Sequence, residues 1–183
     1  MNDNIRNNTQ HILIAGGGIG GLAAALASAR AGWSVQLLER AATFAEVGAG
    51  IQMGPNVMRV LHTWGLADAV RQVAAFPDSL RVRSAVDGKE LGRLRLGQRM
   101  LSLYGAPYAT IHRADIHQLL LKAVQQHADV QLHLGEQLES FTDTPSLVQV
   151  RTQSGLQLEG QALIGADGLW SRVRPQLLRD ASP

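Results

Sequence analysis

Two hydrophobic periods take turns along the chain. His11–Ala15 (HILIA) is a short apolar run that ends on a glycine cluster, the pattern of a buried strand entering a tight turn. Residues 20–31 (GGLAAALASARA) are rich in alanine and stop at Gly32, which predicts a helix closed by a glycine. Ser34–Glu39 (SVQLLE) then predicts a second strand. Strand, helix and strand this close together predict a βαβ unit with a right-handed crossover and parallel strands. Further on, Pro55 suits the first turn of a helix that carries Val57, Val60, Leu61 and Trp64 and ends at Gly65. Residues 79–86 and 90–96 alternate apolar and polar positions around Asp87-Gly88, which predicts an antiparallel hairpin. Residues 113–127 place Ile116, Leu119, Leu120 and Val124 on one helical face. Strand-like runs follow at Val130–Leu134, 147–152 and 156–163, the last two joined by a turn at Ser154-Gly155. The fold class is therefore α/β: a parallel βαβ sheet combined with an antiparallel β meander. The polar residues 1–10 read as a mobile arm, and 11–183 as one domain.

Composition narrows the chemistry. Of 183 residues, 45% are hydrophobic and 17% charged, enough apolar side chain for a core and consistent with one compact unit. There is no cysteine, which excludes disulfides, thiolate metal sites and a redox CxxC pair and points to a reducing cytoplasm. The longest apolar run is broken by glycines and predicts no membrane span, and no export signal is read. Histidine spacing predicts no metal site, and no GxSxG elbow occurs. Arg81, Arg83, Arg93, Arg95 and Arg99 make the hairpin basic, but without aromatic residues between them they read as a solvated strand face and not as a nucleic-acid surface.

The segment Gly16-Gly17-Gly18-Ile19-Gly20-Gly21 contains a GxGxxG formed by Gly16, Gly18 and Gly21, directly after one predicted strand and opening a predicted helix. Gly16 allows the tight turn, Gly18 leaves room for a pyrophosphate against the backbone, and Gly21 lets the helix approach the sheet. The free amides and the positive end of the helix dipole then face a diphosphate. Glu39 ends the second strand, where a carboxylate can accept hydrogen bonds from a ribose diol. A negative charge there disfavours a 2′-phosphate, so the adenosine belongs to NAD or FAD. Gly165-Ala166-Asp167-Gly168 repeats the strand-to-turn pattern near the far end, with Ser171 as a helix cap.

Taken in order, Gly16 to Gly21 with Glu39, then Val47-Gly48-Ala49-Gly50-Ile51-Gln52 before Gly54-Pro55-Asn56, then His112-Arg113-Ala114-Asp115, and last Gly165 to Gly168, resemble the FAD-binding half of the group A flavin-dependent aromatic hydroxylases. Gly-Ala-Gly-Ile-Gln and Tyr104-Gly105-Ala106-Pro107-Tyr108 resemble most the salicylate and 3-hydroxybenzoate 6-hydroxylases. The resemblance implies a Rossmann-like FAD-binding sheet. It implies that Gly16, Gly18, Gly20 and Gly21 cradle the FAD diphosphate, that Glu39 holds the adenosine ribose and that Arg40 lies beside the adenine. Gln52 would line the flavin side, and Arg113 would reach the pyrophosphate and ribityl chain. Leu138 would pack against the adenine or offer backbone to it, with a purely core role equally open, and Asp167 would serve FAD and the incoming dinucleotide.

Within that family, a segment with a second Gly-Asp motif and the substrate-orienting residues follows the part matched here, so the chain is expected to lack the C-terminal substrate domain and the catalytic residues stay unassigned. The implied whole protein is a monooxygenase that uses NADH or NADPH as reductant to hydroxylate a small phenolic acid. Two rival readings are a non-catalytic dinucleotide-binding module and another FAD-dependent oxidoreductase that shares this half. Apolar faces left bare would favour self-association or a partner.

Overall fold

A computed structural model describes residues 11–44 and 48–179; the expected arm at 1–10 lies outside the described residues. Within the span read as one domain, the described residues form two compact units, 11–44 with 120–179, and 48–119.

The first unit is built on a four-stranded parallel sheet in the order β11-β1-β2-β7. Its strands are β1 (His11–Ala15), β2 (Ser34–Glu39), β7 (Val130–Leu134) and β11 (Ala162–Gly165). β1 pairs with β2 from His11↔Ser34 to Ala15↔Leu38, and with β11 from Ile12↔Ala162 to Ala15↔Gly165. The βαβ unit predicted from the sequence is formed by β1, α1 (Ile19–Arg30) and β2, with α1 packed on both strands. Successive side chains of a strand point to opposite faces. Leu13 and Ala15 therefore share one face with Leu38, and there they join Leu138, Val150 and Val173 in a buried cluster. The opposite face carries Ile12, Ile14, Val35 and Leu37, all buried.

The meander is a three-stranded antiparallel sheet, β10-β9-β8, made of β8 (Leu138–Asp143), β9 (Val148–Thr152) and β10 (Gln157–Gly160). The run expected as one strand over 156–163 divides in two. β10 pairs with β9 up to Gly160↔Val148, whereas β11 pairs with β1, and the Gln161 amide donates to the His11 carbonyl at 2.9 Å between them. A Cβ at Gly160 would lie 2.8 Å from Leu13 Cγ, so the chain changes sheets at the residue that can touch β1 most closely.

In the second unit, β3 (Gly50–Met53) pairs antiparallel with β6 (Ala109–His112), and β4 (Ser79–Arg83) with β5 (Glu90–Arg95). α2 (Pro55–Thr63) starts with its proline in the first turn and packs on α3 (Ala67–Val73), α4 (Gly97–Tyr104) and β3. The hairpin expected around Asp87-Gly88 forms, but β4 ends at Arg83 after a bulge and not at residue 86. The Ser84 hydroxyl accepts the amides of Val86 and Asp87, and Asp87 accepts that of Lys89, so local side-chain bonds replace the last ladder rungs. α5 (Arg113–Gln125) begins in this unit and ends in the other; of the face its spacing predicted, Ile116, Leu120 and Val124 are buried and Leu119 is half-buried.

Candidate functional site: the carboxyl edge of the parallel sheet

Because its four strands run the same way, the parallel sheet brings the carboxyl ends Ala15, Glu39, Leu134 and Gly165 to one edge, the edge at which open α/β sheets bind ligands. The turns leaving β1 and β11 touch. The Gly16 amide donates to the Leu38 carbonyl at 2.8 Å, and the Ala166 amide donates to the Ala15 carbonyl at 2.7 Å. Gly16 has φ +103°, and a Cβ on it would run into the Ala166 carbonyl. No other residue type fits both conditions.

Gly18 is the N-cap of α1 and supplies no side chain, and the first turn contains no acid. The first bond inside the helix is the Leu22 amide to the Gly18 carbonyl, at 2.9 Å. The amides of Ile19, Gly20 and Gly21 thus have no acceptor within the helix, and they stand at the positive end of its dipole. Around Gly20 there is open space, whereas a Cβ at Gly21 would collide with the Gly16 carbonyl, which holds the turn against the helix. This is a cradle for an oxyanion.

Glu39 is joined to that cradle. Its Oε2 accepts the Gly17 amide at 2.7 Å and its Oε1 accepts the Ala41 amide at 2.8 Å. Each oxygen keeps a second lone pair, which is what a sugar diol requires. Gly17 also has little room, since a Cβ there would lie 2.6 Å from Phe44 Cε1 and 3.0 Å from Glu39 Cβ. Neither the bond from Gly17 to Glu39 nor the contact with Phe44 was legible in the sequence, since both depend on how far the turn folds back over the end of β2. Arg40, next along the chain, is exposed.

Asp167 lies in the turn after β11, and its carboxylate accepts the Ser171 hydroxyl, the Arg172 amide at 2.6 Å and the Val173 amide at 3.2 Å. Ser171 in turn accepts the Arg174 amide at 3.0 Å, but the N-cap of the helix that follows is Arg172, one residue beyond the serine expected there. Asp167 therefore fixes the start of α6 (Val173–Leu178) as well as the turn beside Gly16. Leu138 differs from the other candidates: its side chain is 4% exposed and belongs to the buried cluster, which leaves only its backbone for a ligand.

The remaining candidates lie in the second unit. Gln52 sits on β3 opposite Thr110 and is exposed. Arg113 opens α5, where its amide donates to the Ala49 carbonyl at 3.2 Å, and its side chain runs so close to Gly48 that a Cβ there would lie 3.0 Å from Cδ. The structure thus gathers Gly16, Gly18, Gly20, Gly21, Glu39 and Asp167 at one edge of one unit, and places Gln52 and Arg113 within the other. Among the described residues, no group of three or more acidic or histidine side chains could hold a metal ion, and no helix is long and apolar enough to cross a membrane.

Comparison with known proteins agrees with this geometry. Residues 9–180 match the family described as FAD binding domain. The chain is 42% identical over 171 residues to a 3-hydroxybenzoate 6-hydroxylase of Polaromonas naphthalenivorans, covering 93% of this chain and 43% of that protein. It is 38% identical over 167 residues to a 6-hydroxynicotinate 3-monooxygenase of Bordetella bronchiseptica, covering 91% of this chain and 43% of that protein. Among solved structures, the flavin-dependent monooxygenase PieE in complex with FAD and substrate superposes with a TM-score of 0.78 at 27% identity, over 93% of this chain and 32% of that one. The chain spans less than half the length of these relatives.

Proposed function

The chain belongs to the FAD binding domain family, and on that footing we propose that it is the FAD-binding portion of an NAD(P)H-dependent monooxygenase that hydroxylates a phenolic acid such as 3-hydroxybenzoate or salicylate. The observation that carries this reading is the pairing of an uncapped helix start with the Glu39 carboxylate at the end of the neighbouring strand. The cradle suits the cofactor sterically, since a Cβ at Gly16, Gly17 or Gly21 would fill it or distort it.

In this proposal the amides of Ile19, Gly20 and Gly21 hold the diphosphate, Glu39 accepts the adenosine ribose hydroxyls, and Arg40 lies beside the adenine. Leu138 contributes backbone only. Asp167 contributes by holding the last turn against Gly16, and it borders the path of the incoming dinucleotide. In the second unit, Gln52 serves the flavin side and Arg113 the phosphate and ribityl oxygens, for which a planar guanidinium is suited. FAD, when bound, supplies two-electron transfer and the activation of oxygen, which no side chain of this cysteine-free chain can supply. The chain's own contribution is binding and orientation. The proposed location is the cytoplasm, and the exposed apolar side chains Leu80, Val82 and Leu94 are the proposed face for self-association or a partner.

A second reading rests on the groups at the cradle, backbone amides and a carboxylate that bind and orient: a module that binds the dinucleotide and performs no turnover by itself. One experiment separates the readings. The purified chain is mixed with FAD and desalted, retained flavin is read at its visible absorbance, and NADH or NADPH oxidation is followed with and without 3-hydroxybenzoate or salicylate. Retained FAD with oxidation stimulated by the aromatic acid supports the monooxygenase, and retained FAD without it supports the binding module. Binding of NAD with no retention of FAD overturns the flavin assignment.

A further inference from the structure

We propose that the arginine-lined hollow bounded by the β4–β5 hairpin and the start of α4 is a second oxyanion site, taking the diphosphate of a soluble nicotinamide dinucleotide. The hollow has a volume of about 420 Å³, and Arg81, Arg93, Arg95 and Arg99 line it. The register explains how they come together. Arg81 is directly opposite Arg93, and Ser79 directly opposite Arg95, so side-chain alternation puts Arg81, Arg93 and Arg95 on one face of the ribbon, and Arg99 comes from the first turn of α4. The other face holds Leu80, Val82 and Leu94.

Like charges directly opposite one another destabilise a strand pair unless something negative lies between them. Among the described residues one of the four arginines is held in an ion pair: Glu90 takes Arg93 in a two-pronged pair at 2.9 and 2.8 Å, and its charge also reaches Arg81 without bonding it. That contact holds the Glu90 carboxyl below its ordinary value. Arg81 makes one long bond, Nε to the Ser79 hydroxyl at 3.4 Å, and among the described residues Arg81, Arg95 and Arg99 form no ion pair. The hollow contains one carboxylate, Asp78, against these four guanidiniums.

The start of α4 adds donors. Its N-cap, Leu96, offers no side-chain bond, and the first bond within the helix is the Met100 amide to the Leu96 carbonyl. The Gln98 and Arg99 amides therefore have no acceptor within the helix, and both residues line the hollow. The walls also indicate the class of ligand. No aromatic residue lines the hollow, and its one large apolar residue, Leu96, is buried, so an aromatic acid would find no surface for its ring. Guanidinium forks and helix amides instead suit tetrahedral phosphate oxygens. The choice of a nicotinamide dinucleotide as occupant rests on the function proposed above; the anion site does not.

The test is calorimetric titration of pyrophosphate into the full chain saturated with FAD, followed by displacement with NADH and with NADPH. The double variant R95Q/R99Q is expected to bind pyrophosphate at least about tenfold more weakly, because each charge-assisted bond lost is worth about that factor. R59Q/R71Q, which removes two exposed helix arginines elsewhere, is expected to stay within about twofold of the native chain. Unchanged affinity in R95Q/R99Q, or equal weakening in R59Q/R71Q, overturns the site. Displacement by neither NADH nor NADPH overturns the nucleotide assignment. FAD retention is measured on the same samples; if no FAD is retained, the titration is run without it and the two failures remain distinct. Should R95Q/R99Q lose its circular dichroism, labelling of the native chain with phenylglyoxal decides. Pyrophosphate is expected to protect Arg95 and Arg99 but not Arg59 and Arg71, and equal labelling overturns the proposal.

Discussion

Replacing Glu39 probes the joint between the glycine turn and the strand beside it. The carboxylate accepts one amide on each oxygen, from Gly17 at 2.7 Å and Ala41 at 2.8 Å. In Glu39→Gln only one oxygen remains, and the new amide nitrogen faces a backbone N–H across a hydrogen-bond distance. A hydrogen bond to a charged acceptor nets about 1.5–3 kcal/mol. The Ala41 bond is exposed and counts at the lower end, whereas Gly17 is buried and its amide has more to lose. The side chain turns its oxygen to Gly17, so the expected cost of Glu39→Gln is about 1.5 kcal/mol. Glu39→Ala strands both amides and is expected to cost about 3 kcal/mol. With a urea m-value of about 2 kcal/mol/M, the midpoints fall by about 0.7 and about 1.5 M, read by far-UV circular dichroism. FAD affinity, from quenching of flavin fluorescence, is expected to fall at least about tenfold in Glu39→Gln, since the charged acceptor proposed for the ribose is gone. A glutamine variant with an unchanged midpoint and unchanged affinity would refute both roles assigned to this carboxylate.

Three other substitutions test separate parts of the structure. Gly16→Ala puts a side chain at φ +103° and drives its Cβ into the Ala166 carbonyl; the backbone alone costs about 1–3 kcal/mol, so thermal unfolding is expected at a markedly lower temperature and FAD retention is lost. Leu138→Ala removes a side chain that is 4% exposed and is expected to cost about 2–5 kcal/mol, while the FAD dissociation constant of the folded variant stays within about twofold of native; loss of FAD binding with stability intact would restore a ligand role to that side chain. Glu136 has its carboxyl held below the ordinary value of 4.5, first by the Ser154 hydroxyl at 2.6 Å and then by that of Thr152. A carboxyl with a lowered folded pKa stabilises above its unfolded value and loses that contribution as pH falls through the folded one. The melting-temperature gap between native chain and Glu136→Gln is therefore expected to favour the native chain at neutral pH and to close under acid, and a gap independent of pH counts against the bond.

The parts of the fold that could be read from sequence are those where a local steric demand decides. A strand ending in glycines, an alanine-rich helix stopped by Gly32 and a proline opening α2 each impose their conformation within a few residues, and each element stands where its pattern put it. β3, β6, β8, α3 and α4 escaped because they are short and their stability comes from neighbours distant in sequence. β3, for instance, is four residues long and half exposed, and it pairs only with β6, about sixty residues further on, among the described residues. The same limit explains Leu138. The resemblance left a ligand-facing and a core role equally open for it, and the pairing of β8 with β9, about a dozen residues further on, is what sets that side chain in the buried cluster.

The joint at Glu39 also makes one unit of two functions that the sequence presents as separate. In the proposed site the turn amides of Ile19, Gly20 and Gly21 serve a phosphate, and Glu39, 18 to 20 residues further along the chain, serves a sugar. In the folded chain Glu39 holds Gly17, Gly16 holds the Leu38 carbonyl one residue before Glu39, and the turn after β11 closes against Gly16. A ligand carrying a diphosphate and a ribose therefore meets both groups at a separation set by backbone hydrogen bonds, and does not have to order a loop on arrival. That saving in ordering entropy is the gain of pre-organisation. It follows that disturbing either end loosens both: a change at Gly16 degrades sugar recognition, and a change at Glu39 degrades phosphate recognition. The coupling between Gly16→Ala and Glu39→Ala in FAD binding should accordingly be non-additive, with the double variant little worse than the poorer single one.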